Sequence, residues 1–147
     1  MKTVIKYFIV VLITGLISCK KDEVLISNTP EIKFASVTPT SYPQYSGDIT
    51  FTIFYKDGDG DMGEDTPDAK NLFLTDSRNN VTYKYRVQQL APSGSSIAIE
   101  GNLNIVLSGT GITDASTSQI VTYSIYVTDR AGNKSNTVTS DAITITQ

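Results

Sequence analysis

Six carboxylates and no basic group occupy the twelve positions Asp57-Gly58-Asp59-Gly60-Asp61-Met62-Gly63-Glu64-Asp65-Thr66-Pro67-Asp68. Like charges held that close repel one another unless something relieves them. Oxygen donors at alternate positions, with glycines between, can curl around one hard cation. Calcium suits such a set because it takes about six to eight oxygen ligands in a flexible cage, whereas magnesium usually keeps several waters and seldom uses a dedicated protein site. Asp57, Asp59, Asp61, Asp65 and Asp68 are the candidate metal ligands, and Ca2+ in a structural role is the expected ion. The plainer alternative is a solvated acidic turn, since Asp-Gly pairs accept positive φ cheaply.

Counted from Asp57, acids fall at positions 1, 3, 5, 9 and 12. That spacing resembles the calcium loops of EF-hands and of thrombospondin type 3 repeats. Two departures stand out: Met62 occupies the place of the expected glycine, with Gly63 one position later, and Asp68 replaces the longer glutamate of EF-hands. Asp65 and Asp68 are therefore the weaker members of the set. The flanking segments have strand patterns rather than helical ones, so the loop is not part of an EF-hand.

The rest of the composition narrows the chemistry. The chain of 147 residues has no His and one Cys, which removes imidazole bases, Ser-His-Asp triads, Cys-His pairs and most zinc sites. A carboxylate-only reaction needs just two suitably spaced acids, but the sequence shows no sign of a cleft to hold them, and the chain is read as no enzyme. Twelve Lys and Arg stand against fifteen Asp and Glu, a net charge of −3. An acidic balance without a basic cluster argues against nucleic acid as a partner.

The elements that would hold the loop begin with the amino terminus. Lys2 and Lys6 precede an apolar run from Tyr7 to Ile17 that ends at Ser18, Cys19 and the charged Lys20-Lys21-Asp22-Glu23. The run has the length of a signal-peptide core and falls short of the ~20 residues a spanning helix needs. Leu16-Ile17-Ser18-Cys19 resembles the lipobox of bacterial lipoproteins, although Ile17 is bulkier than the usual small residue. The resemblance implies cleavage after Ser18, a diacylglyceryl thioether on Cys19 and a membrane anchor of two or three acyl chains, palmitate among the possible ones. It also accounts for an odd cysteine in an exported chain. The charged residues after Cys19 resemble the export signal of surface lipoproteins of the Bacteroidota type, which implies an outward-facing protein on the outer membrane. Four charges that merely keep a tether solvated are the alternative. Residues 1–18 are thus expected to be the signal peptide, 19–30 the lipidated tether and 31–147 one folded domain. Loss of Lys2 and Lys6 would leave 10 basic against 15 acidic groups, a net charge of −5.

From Glu31 onward, short β-branched and aromatic runs alternate with turn residues, and no long stretch keeps a helical period. Ile49, Phe51, Ile53 and Tyr55 share one face of a strand, with Phe54 the apolar exception on the other. Val121, Tyr123, Ile125 and Val127 form a second such face, followed by the turn Asp129-Arg130-Ala131-Gly132-Asn133 and by Val138, Ile143 and Ile145, a hairpin by composition. Ile32–Val37, Asn71–Thr75, Val81–Gln89, Ile97–Ile99 and Leu103–Leu107 complete seven or eight strands. The expected fold is all-β, an immunoglobulin-like antiparallel β-sandwich of about seven strands, with a jelly roll as the alternative. The segment Tyr126 to Ser135 resembles the closing strand and turn of bacterial immunoglobulin-like surface domains. In that architecture the acidic loop and the last hairpin turn share one end of the sandwich, so Asp129, with Asn133, joins the candidate metal ligands.

These features together lead to the expectation of a cell-surface lipoprotein whose calcium-stabilised sandwich is a non-catalytic binding or adhesion module. Its ligand would be a protein or a glycan. The alternative is a structural or accessory subunit of an outer-membrane surface complex, for instance in glycan capture, without a ligand of its own. Tyr42, Tyr45, Tyr83 and Tyr85 are candidates for an aromatic patch, although tyrosines at such spacing are more often half-buried strand residues.

Overall fold

The computed structural model describes residues 26–147. The expected signal peptide, Cys19 and the charged residues after it lie outside the described residues.

Among the described residues, ten strand segments form in chain order: β1 (Glu31–Thr38), β2 (Ser41–Pro43), β3 (Asp48–Asp57), β4 (Leu72–Asp76), β5 (Thr82–Tyr85), β6 (Ile99–Ser108), β7 (Ser118–Val121), β8 (Tyr123–Val127), β9 (Val138–Thr139) and β10 (Ile143–Thr146). They pair in the orders β1-β3-β6, β2-β10-β7 and β5-β4-β8-β9. Only Thr122 separates β7 from β8, and only Ser140 to Ala142 separate β9 from β10, so the last two sets form one interrupted layer facing the first. Joined across those breaks, and with β1 and β2 taken as one strand that changes sheets at Pro39-Thr40, the segments make seven strands. The protein is an all-β sandwich and not a closed barrel.

The alternation of β3 explains the core. Ile49, Phe51 and Ile53 are fully buried and Tyr55 nearly so. They meet Leu74, Tyr123, Ile125, Val127, Ile143 and Ile145 from the other layer, all without exposure. Phe51 packs edge-on against Tyr123, ring centroids 5.0 Å apart at 71°, a geometry that suits the quadrupoles of two aromatic rings. Phe54 faces outward beneath the Lys56 ammonium, 5.7 Å away.

Three features depart from the sequence expectation. The pairing is not wholly antiparallel: β2 runs parallel to β10, Ser41 opposite Thr144, because the chain crosses to the second sheet after β1 without reversing. Ile97–Ile99 is no separate strand, since Ile99 opens the ten-residue β6. Val81–Gln89 pairs only over β5. Beyond Tyr85 the side chain of Asn71 takes over the ladder, Oδ1 accepting from the Val87 amide at 2.6 Å and Nδ2 donating to the Val87 carbonyl at 3.2 Å. Residues 86–98 then cross to the other sheet.

Two buried serines bridge the breaks in the closing hairpin. Ser135 Oγ accepts from the Val127 amide and Ser140 Oγ from the Tyr123 amide, each at 3.0 Å. Buried main-chain donors that lose a ladder partner need such a replacement.

Candidate metal centre

Asp57 is the last residue of β3, and the strand's alternation points its side chain inward, where it is completely buried. The chain then turns at Gly60 and Gly63, with φ of 72° and 83°. A side chain at either glycine would strike the crossover, at the carbonyl of Ile97 or of Gln88. Both positions thus need glycine for conformation and for space. Met62 stands where the calcium-loop pattern has glycine because it plugs the core, with no exposure, and forms an antiparallel bridge with Asp129.

This path gathers Asp57, Asp59 and Asp61: one carboxylate oxygen from each lies within 4.8 Å of the other two. Two oxygens on one calcium, each at about 2.3 to 2.6 Å, can be that far apart. Asp57 Oδ2 accepts the Met62 amide at 2.8 Å, and Asp61 Oδ2 accepts the Ala131 amide at 3.1 Å. The Oδ1 atoms of Asp57, Asp59 and Asp61 are all buried without a hydrogen-bond partner. A buried carboxylate oxygen with no partner is costly, and three of them on carboxylates gathered this closely form a ready acceptor for a cation.

The electrostatics agree with the geometry. Burial, before all else, pushes the Asp57 carboxyl above the usual carboxylate range; Asp59, Asp61 and Asp129 add to the rise and the Met62 amide opposes it. Asp61 is also raised, by burial and then by Asp129 and Asp59, against the Ala131 amide and Arg130. A divalent cation would reverse this penalty by favouring the ionised carboxylates.

The loop and the last hairpin turn do meet at one end of the sandwich. The Arg130 amide donates to the Asp61 carbonyl at 3.3 Å, and Arg130 Nη1 donates to the Gly63 carbonyl at 2.8 Å. Asp129 is buried beside the cluster, but Asn133 occupies its carboxylate, the main-chain amide on Oδ1 at 2.7 Å and Nδ2 on Oδ2 at 2.8 Å. Asp129 thus contributes negative field to the site and is not one of the three gathered carboxylates. Asp65 and Asp68 are exposed and outside the group. After Gly63 the Glu64 amide bonds to the Val87 carbonyl at 2.9 Å, which carries the rest of the loop along the crossover.

The four tyrosines do not form one patch. Tyr42 is buried, Tyr83 and Tyr85 are half-buried against the core, and Tyr45 is exposed. The aromatic pair on the outer face of the β5-β4-β8-β9 sheet is Phe73 with Tyr126, stacked at 4.6 Å and 11°, with Lys134 Nζ 3.8 Å from the Tyr126 ring centre. Their outward positions follow from the alternation of β4 and β8, but the pairing depends on the register between those strands. Sequence reasoning also missed Arg130 as a clamp on the acidic loop. Its position directly after Asp129 was the available signal.

No known family model, curated protein or solved structure matches the chain. What the site can do is therefore read from its own geometry: an all-oxygen, acidic group on a β-sandwich that could hold a metal ion.

Proposed function

We propose that the chain is a cell-envelope lipoprotein, anchored to the outer membrane by lipid on Cys19, whose calcium-stabilised sandwich is a non-catalytic binding or adhesion module. The observation that carries this reading is the fully buried Asp57, gathered with Asp59 and Asp61, each of the three with a buried carboxylate oxygen that has no hydrogen-bond partner. Calcium supplies the missing positive charge and fixes the loop that joins β3 to β4, together with the turn after β8. Its role is to hold one rim of the sandwich in shape for a protein or glycan. Outside the cytoplasm, millimolar calcium is compatible with an extracellular-type site of about 10⁻⁴ to 10⁻³ M affinity.

Isothermal calorimetry with calcium, on the unaltered chain and on Asp59→Ala/Asp61→Ala, tests the ion. Saturable heat in the first and none in the second is expected, and no heat in the first removes calcium from the proposal. Incorporation of labelled palmitate tests the anchor: Cys19→Ala should lose the label, and retention of label would remove Cys19 as its site.

A further inference from the structure

The two edges of the β1-β3-β6 sheet are built differently. The β1 edge is protected twice. Its register shifts between Phe34 and Ser36, and Asn136 covers the backbone of Ile32, Oδ1 accepting from its amide and Nδ2 donating to its carbonyl, both at 2.8 Å. β6 has neither device. All ten of its residues pair with β3 in unbroken register, and none is Lys, Arg or Pro. No main-chain hydrogen bond outside the strand ladder reaches β6 from the described residues. Every second residue of β6 therefore turns an unpaired amide and carbonyl outward, a template for another strand that proteins usually blunt.

The space beside that edge is also unfilled by a strand. Residues 86–98 pass from β5 to β6 without pairing, and between this crossover and β6 lies a groove of about 440 Å³, lined by Leu72, Val87, Leu90, Leu103 and Ile105 among others. Val106 and Ile97, on β6 and just before it, are 45% and 52% exposed. The one charged side chain in the lining is Arg86. Its Nη1 donates to the Asp65 main-chain carbonyl at 2.9 Å, and no salt bridge among the described residues includes it.

We propose that this edge accepts an extended strand of a partner protein, which pairs with β6, sends alternate apolar side chains into the groove and sets a carboxylate against Arg86. The open backbone requires an extended chain, the lining selects apolar residues at every second position, and Arg86 selects an acid. The proposal rests on the binding-module reading and narrows its partner to protein. A second copy fits less well. Two β6 strands paired antiparallel about a two-fold axis would place their Ile99 ends far apart. The start of the domain lies at that end, where the Ser27 carbonyl accepts the Gly58 amide at 2.8 Å, one residue beyond the Asp57–Ile99 pair. Chains anchored through Cys19 in one membrane need those ends on the same side.

The test is a titration of the ¹⁵N-labelled full chain with a synthetic eight-residue peptide alternating valine and threonine and ending in aspartate, with calcium heat measured on the same preparation. Saturable shifts and slowed hydrogen exchange at alternate β6 amides are expected. N-methylation of alternate peptide amides should abolish them, and Arg86→Ala should weaken binding at least threefold. Unmoved β6 amides, or equal binding of the N-methylated peptide, overturn the proposal. Protection of β6 in the chain alone that rises with its concentration overturns it in favour of self-pairing. Peptide binding without calcium heat would sink the calcium reading and leave this one standing; calcium heat without peptide binding would do the reverse.

Discussion

Replacing Asp59 and Asp61 together by Asn should raise stability in the absence of calcium and abolish the stabilisation that calcium gives. At a separation of at most 4.8 Å and an effective dielectric near 20, two like charges repel by on the order of 3 kcal/mol or more. Asp59 and Asp61 are partly open to water, which screens most of this and leaves about 1 to 2 kcal/mol of relief on neutralising both. In EDTA the double variant should therefore melt about 4 to 8 °C above the unaltered protein, from an unfolding entropy of about 2.1 cal/mol/K per residue over about 120 residues. Calcium at 10 mM, some ten to a hundred times the expected dissociation constant, should stabilise the unaltered protein by about 1.4 to 2.7 kcal/mol. That amounts to about 6 to 11 °C, and the variant should not respond. Differential scanning calorimetry of both proteins in both buffers reads the two effects separately. A variant that melts lower than the unaltered protein in EDTA would show that the cluster is not held together against repulsion. An unaltered protein indifferent to calcium would remove the ion.

Two further predictions concern the other end of the sandwich. Arg78 and Asp76 form a buried ion pair, Nη2 to Oδ2 at 2.7 Å, and Arg78 Nη1 also donates to the Gly111 carbonyl at 2.8 Å and to Gln119 Oε1 at 2.9 Å. Arg78→Ala would strand a fully buried carboxylate and should cost about 3 to 5 kcal/mol, read as a lower urea midpoint; a loss under 1 kcal/mol would refute that role. Burial pushes the Tyr123 hydroxyl up to about 12, with further contributions from Asp76 and Tyr83. Thr110 opposes the rise, although the two hydroxyls do not reach full hydrogen-bonding geometry. The raised value means that this group's stabilising share is complete below pH 10 and is lost as pH climbs from 10 to 12, a change of about 2 to 3 kcal/mol. Stability measured by denaturant titration between pH 9 and 12 should fall more steeply for the unaltered chain than for Tyr123→Phe, and equal slopes would count against it.

The parts of this fold that were legible in the sequence are those a local period determines. β3 and β8 each bury one face and wet the other, so Ile49 to Tyr55 and Tyr123 to Val127 declare their inward sets directly. The convergence of Asp57, Asp59 and Asp61 was legible for a related reason, since Asp57 ends an alternating strand on its inward phase and glycines let the next two acids follow. Asp65 and Asp68 share the spacing but not the path, because the bond from Glu64 to the Val87 carbonyl sends the chain elsewhere, and nothing local to Glu64 announces a partner 23 positions later. Asp76 and Arg78 look like ordinary turn residues. Their burial depends on Gly111, brought by a distant loop, and on Gln119 of β7. Asn71 was likewise hidden, since a side chain that continues a ladder leaves no periodic trace.

The grip of Gly58 on Ser27 sets where tension enters the domain. A pull on the chain ahead of Ile26 first loads that single hydrogen bond beside the acidic cluster, and only then β1, whose seven aligned pairs with β3 lie along the pull and resist it together in shear. The path of the force thus starts at the rim a cation would stiffen, while the β6 edge, the last strand of the same sheet, is the place where a bound partner would pull back.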